Sequence, residues 1–141
     1  MTYLKTYHVL PEEAIAIRQA VFVEEQGFTA EFDDKDAIAK HVVLFNADDR
    51  PIAVCRYFWD KEHRSYVVGR IAVVKEFRHH HYGAAILEEA EKQIREAGGE
   101  SVLLAAQVEA KNFYRKQGYI SEGNEFLEEH CPHIWMRKSL K

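Results

Sequence analysis

The stretch from Gly69 to Ala106 constrains the fold of this chain more than any other. Gly69-Arg70-Ile71-Ala72-Val73-Val74 is an apolar, β-branched run, Lys75 to Tyr82 is a basic turn, and from Gly83 onward Ile86, Leu87, Ala90, Ile94 and Ala97 recur at helical spacing. Gly98-Gly99 supplies a helix stop, and Val102-Leu103-Leu104-Ala105-Ala106 is a continuous apolar run of the kind buried on both faces of a sheet. Strand, helix and strand in this order make a right-handed crossover, so the two strands run parallel.

The flanking segments add antiparallel strands. Thr2 to Val9 is a short strand candidate, and Pro11 suits the first turn of a helix on which Ala14, Ile17 and Val21 share a face; that helix carries Arg18 and ends near Val23. His41 to Phe45 and Ile52 to Phe58 are strands joined by the turn residues Asn46 to Pro51, and Tyr66 to Val74 completes a meander. After the crossover, Val108 to Gln117 reads as a short helix stopped by Gly118, Tyr119-Ile120 begins a strand, and Pro132 to Arg137 forms the last. The fold class is therefore α/β with a mixed sheet. With 141 residues and no linker, repeat or low-complexity tract, residues 1–141 are expected to form a single domain.

A strand that feeds a basic turn and opens a helix at once is an anion site in outline. The first helical N–H groups are free, the helix dipole is positive there, and Arg78 adds a full charge. The turn is neither a P-loop nor a Gly-x-Gly-x-x-Gly dinucleotide turn; what it offers is Arg-x-x-x-x-Gly-Ala. His79-His80-His81 does not read as a metal centre, because adjacent residues do not point to one side and the spacing matches no zinc signature. No metal is expected.

The formal net charge of -4 gives no general attraction to nucleic acid or to an anionic membrane, and neither is expected as a partner. Cys55 and Cys131 do not make a disulfide framework, and Met1 to Lys5 has no apolar signal core, so the expected setting is cytoplasmic. Glu24-Glu25-Gln26-Gly27-Phe28 and Glu31-Phe32-Asp33-Asp34-Lys35-Asp36 lack a clear period. Two readings stay open there: a solvated loop or short irregular helix, or a lid whose carboxylates attract a cationic substrate.

With the turn between strand and helix, the chain resembles the GCN5-related N-acetyltransferases (GNAT), whose acyl-CoA turn is written Arg/Gln-x-x-Gly-x-Gly/Ala. Arg78 matches the first position and Gly83 the last, while His81 stands where a glycine is usual. The likeness extends along the chain: Ala106-Gln107-Val108-Glu109-Ala110 and Phe113-Tyr114 to Tyr119 resemble the second half of the family. Arg18, Val21-Phe22-Val23, Glu25-Gln26, Asp33, His41, Glu122-Gly123, Phe126 and Pro132-His133-Ile134-Trp135-Met136 are similar to its bacterial ElaA and YjcF branch.

The resemblance implies a central sheet of six to seven strands, mixed antiparallel and parallel, flanked by about four helices. It implies acetyl-CoA as cosubstrate and a small-molecule amine, or a peptide, as acceptor. Backbone groups of Ile71, Ala72 and Val73 would hold the pantetheine arm, and Arg78 with the N–H groups of His79, His80, His81, Tyr82, Gly83 and Ala84 would hold the pyrophosphate. Gln107 and Phe113 would also line the acyl-CoA site. A histidine at position 81 brings a Cβ, so binding in this mode is expected to need an ordinary backbone conformation there. A homodimer is common in the family.

Tyr114 in its Phe-Tyr setting is the candidate general acid. A phenol titrates near 10 and a thiol near 8.5, so giving a proton to the departing thiolate is about 2 kcal/mol uphill. The plainer alternative is a packed aromatic. His133 in Pro-His-Ile is the candidate general base, since imidazole is mostly neutral at pH 7; its plainer alternative is a structural hydrogen bond. Arg70 and Glu25 are the candidate acceptor-side residues. A non-catalytic acyl-CoA sensor with the same fold is the competing class.

Overall fold

β-Branched and aromatic residues recur in seven segments, and each becomes a strand of one sheet. A computed structural model, describing residues 1–141, places them at β1 (Tyr3–Tyr7), β2 (Lys40–Phe45), β3 (Pro51–Asp60), β4 (Ser65–Val73), β5 (Ser101–Gln107), β6 (Ile120–Glu128) and β7 (Cys131–Ser139). The order is β1-β2-β3-β4-β5-β7-β6, antiparallel throughout except between β4 and β5. The helices are α1 (Glu12–Arg18), α2 (Tyr82–Glu96) and α3 (Lys111–Lys116).

Alternation along the strands divides the core between the two faces of the sheet. Val42 and Leu44 pack with Ile86, Leu87, Ala90 and Ile94 of α2. Val43 and Phe45 point the other way, to Ala14, Ile17 and Val21. The crossover helix ends as expected: Gly98 N–H donates to the Arg95 carbonyl at 3.0 Å and Gly99 N–H to Ile94 at 2.9 Å, a Schellman closure. A Cβ at Gly99 would collide with the Ile94 side chain, so this stop admits little else.

Two boundaries differ from expectation. The first helix does not simply end near Val23: α1 gives way to a wider π-helical stretch, Gln19–Glu25, which carries Phe22 and Gln26 out toward the middle of the sheet. Val108 to Gln117 is not one helix but a tight 3₁₀ turn (Val108–Ala110) followed by α3.

The feature that positions the site is a parting of the sheet. β4 and β5 pair only at Tyr66 with Val102 and Val67 with Leu103, then diverge. On its other edge β4 carries one extra residue between its pairings of Gly69 with Arg56 and Ala72 with Val54. This bulge puts Arg70 in the left-handed region at φ 53°, and such bulges bend a strand and redirect a side chain. No helix is long and apolar enough to cross a membrane.

Candidate active site

The parting opens into a cavity of about 650 Å³. Val68 to Ile71 of β4 and Leu104, Ala105 and Gln107 of β5 form its sides; Phe22, Gln26 and Phe28 close one end, and His133 and Trp135 of β7 close another. Tyr114, carried by α3, lines the same space. Sequence-derived candidates far apart in the chain thus share one cavity: Arg70, Ile71, Gln107, Tyr114 and His133.

Tyr114 packs edge-on against Phe113 and Tyr119. Its hydroxyl finds no partner in the protein and opens on the cavity, whereas Tyr119 donates to Glu91 Oε2 at 2.7 Å. Burial pushes the Tyr114 phenol above its ordinary value, so it stays protonated at neutral pH.

His133 is 5% exposed. Its Nδ1 lies 2.9 Å from the Cys131 carbonyl. A carbonyl only accepts, so Nδ1 is the protonated nitrogen, and in the neutral ring Nε2 carries the lone pair. Nε2 faces Glu128 Oε2 at 3.6 Å. Phe126 stacks on the ring from the partner strand.

At the end of β4 the chain enters the basic turn. His79 and His81 both take the left-handed conformation, at φ 70° and 64°. This corrects the expectation for position 81: the histidine adopts the conformation a glycine would, and histidine is among the non-glycine residues that tolerate it. Left-handed residues at the head of a helix let successive N–H groups face one concavity. The N–H groups of His79, His80, His81, Tyr82, Gly83 and Ala84 find no protein acceptor, the first intrahelical bond at this end being Ala85 to His81. Gly83 lets α2 approach closely; a Cβ there would stand 3.4 Å from the Phe113 ring and 3.8 Å from Val73. The concavity therefore adjoins the start of α3 and the end of β4, and these donors suit a pyrophosphate.

Arg78 is engaged within the protein itself. Its terminal nitrogens bind both oxygens of Glu25 at 2.7 Å, and Nε donates to the Val73 carbonyl at 3.0 Å. Glu25 spends both carboxylate oxygens on that pair, which ties the π-helical stretch to the end of β4. Gln107 donates to Gln26 Oε1 at 2.8 Å across the cavity.

The acidic stretch contains a short 3₁₀ helix, Asp34–Ala37, as the irregular-helix reading expects, but it is not merely solvated, since Glu31 is 5% and Asp36 8% exposed. Arg18 binds Glu31 Oε2 through Nε at 2.9 Å and Asp36 Oδ1 through a terminal nitrogen at 2.8 Å. Arg56 binds Asp33 at 2.6 Å and Asp36 at 2.8 Å. Arg70, redirected by the bulge, binds Glu31 at 2.9 Å. Three guanidiniums and three carboxylates thus balance in one wall of the cavity. Burial alone would raise Asp36, yet hydrogen bonds from Arg18 and Arg56 overcome it and hold the carboxyl down to about 2. For Glu31 burial wins and the pKa is raised. Sequence reasoning missed Arg56 and this network. The available signal was three arginines in otherwise apolar elements, with an unexplained acidic run between them.

Comparison with known proteins agrees with this geometry. The family model "Acetyltransferase (GNAT) domain" matches residues 9–140. YjcF of Bacillus subtilis, named an uncharacterized N-acetyltransferase, is 32% identical over 130 residues, covering 90% of this chain and 91% of that protein. The crystal structure of a Lactobacillus plantarum protein superposes with a TM-score of 0.89 at 30% identity, covering 99% of both chains. Escherichia coli ElaA superposes with a TM-score of 0.86 at 24% identity, over 98% of this chain and 99% of that one. The chain belongs to the GNAT acetyltransferases, with YjcF among its relatives, and is an acyltransferase.

Proposed function

We propose that this enzyme moves the acetyl group of acetyl-CoA to the amine of a small molecule by direct attack in a ternary complex. The observation that carries the reading is the parted sheet, with Tyr114 and His133 on its walls and a run of unpaired N–H groups adjoining its end.

The backbone edge of Ile71, Ala72 and Val73 that β5 leaves unpaired offers donors and acceptors to the pantetheine amides. N–H groups from His79 to Ala84 hold the pyrophosphate, while Arg78 acts through Glu25 and Val73 to keep that turn in place. Phe113 supports Gly83 from below, and Gln107 is fixed by Gln26 at the far end.

His133 takes a proton from the acceptor's ammonium on Nε2. The free amine then attacks the thioester carbonyl, the C–N bond forms, and the C–S bond breaks. Tyr114 gives its proton to the leaving sulfur and recovers one as the new amide nitrogen loses its extra proton. One proton reaches solvent for each amide made. Burial raises the phenol, and a thiol in the same dry gap is raised in the same direction, which limits the mismatch between them. An acyl-cysteine route is disfavoured because burial also pushes the Cys55 thiol far up.

The test is CoA release and product mass with acetyl-CoA and a panel of primary amines and amino acids. One CoA per N-acetyl product is expected. Saturable acetyl-CoA binding without product from any amine would favour a binding module instead.

A further inference from the structure

The charges lining the cavity do not all have partners. Glu31 and Asp33 are matched by Arg18, Arg56 and Arg70. Asp60 is held by His63 Nδ1 at 2.6 Å, and Glu129 accepts from the N–H groups of Thr29 and Ala30 at 2.9 Å each. Lys35 lies over the Phe58 ring, 5.5 Å from its centroid. Glu128 is the one lining carboxylate without a hydrogen bond, and its oxygen stands 3.6 Å from His133 Nε2.

That pairing is unusual in its chemistry. Nδ1 of His133 spends its proton on the Cys131 carbonyl, so with a neutral ring Nε2 and the Glu128 carboxylate are two acceptors facing each other with no hydrogen to share. A donor with two hydrogens satisfies both, and a cationic N–H donor gains the attraction of the carboxylate besides. The placement is built rather than incidental. Glu129, the next residue, clamps the tip of the β6–β7 hairpin to Thr29 and Ala30, and Phe126, Glu128, Cys131 and His133 fall on one face of that hairpin by register.

We propose, resting on the acetyltransfer reading above, that Glu128 and His133 form the seat of the acceptor's ammonium, and that the acceptor is a primary amine with an apolar body and no carboxylate beside the nitrogen. Glu128 binds the cation and His133 receives its proton. When the proton crosses, the positive charge moves from the amine to the imidazole but stays beside Glu128, so the carboxylate favours binding without opposing deprotonation. An α-carboxylate would stand beside Glu128 and be repelled by it, while the lining guanidiniums of Arg56 and Arg70 already hold carboxylates and Lys35 lies over the Phe58 ring. The rings of Phe28, Phe126 and Trp135 offer the apolar body its surface.

Calorimetry on the CoA-loaded protein, with 2-phenylethylamine, phenylalaninamide and phenylalanine as probes, reads the seat without turnover. Wild type is expected to bind the first two at least tenfold more tightly than phenylalanine. Glu128→Gln is expected to weaken both at least tenfold and to narrow their advantage over phenylalanine, with thermal unfolding and acetyl-CoA affinity unchanged. Equal binding of 2-phenylethylamine by wild type and Glu128→Gln, phenylalanine bound as well as its amide, or no binding of 2-phenylethylamine to wild type would each overturn the proposal. Amine binding as described but with no CoA released would remove the transferase reading and leave the seat. Turnover unaffected by Glu128→Gln, in KM and kcat, would do the reverse.

Discussion

Arg78 sets its two terminal nitrogens on the two carboxylate oxygens of Glu25, each at 2.7 Å, and so holds the π-helical stretch against the end of β4. The hydrogen bond from Arg78 holds Glu25 below its usual carboxylate range. The folded pKa is depressed, so the pair's contribution is present above the unfolded value of about 4.3 and is lost as pH falls through the folded one. Arg78→Ala is expected to cost about 1 kcal/mol in urea unfolding at pH 7, with the KM for acetyl-CoA rising only a few-fold. A hundredfold rise in that KM with unchanged stability would make the guanidinium a direct phosphate ligand.

The buried network predicts an unequal response to removing its acids. Asp36 is held down to about 2, so its contribution is complete above about pH 4 and disappears as pH falls from there through 2. Glu31, raised by burial, behaves in the opposite sense: its charged form carries a desolvation cost that protonation relieves as pH falls. Asp36→Asn should therefore destabilise by about 3 kcal/mol at pH 7 and flatten acid unfolding between pH 4 and 2, while Glu31→Gln should cost less. Urea midpoints measured across that pH range check both. Equal losses at every pH would contradict the assignment.

His81 at φ 64° gives a third expectation. A left-handed histidine is strained by about 1 kcal/mol, and a glycine relieves that at a similar entropic cost in the unfolded chain. His81→Gly should change stability by less than about 1 kcal/mol and leave the KM for acetyl-CoA within twofold. His81→Val, β-branched at the same φ, should lower thermal stability and raise that KM. Equivalent behaviour of the two variants would mean that the turn's conformation does not shape the anion site.

The layout of the fold was legible because it rests on local signals. The crossover from β4 through α2 to β5 follows from apolar periodicity and the Gly98-Gly99 stop, and Tyr114 and His133 stood out by the motifs around them. What escaped was set by partners distant in sequence. Arg78 reads as a free cation until Glu25, 53 residues away, is known to meet it. The acidic run reads as solvated until Arg18, Arg56 and Arg70 converge on it from three elements. His81 shows a further limit, for nothing in its neighbours announces that an L-residue will take a glycine's conformation.

The central claim concerns the proton that Tyr114 gives to sulfur, and its free hydroxyl makes the test clean. Because that hydroxyl lines the cavity and makes no hydrogen bond within the protein, Tyr114→Phe should leave thermal unfolding and the KM for acetyl-CoA nearly unchanged. The direct measurement is steady-state CoA release from acetyl-CoA and a saturating primary amine, wild type against Tyr114→Phe. A fall in kcat of about 10²-fold at constant KM is the expected result, and a kcat within twofold of wild type would contradict it.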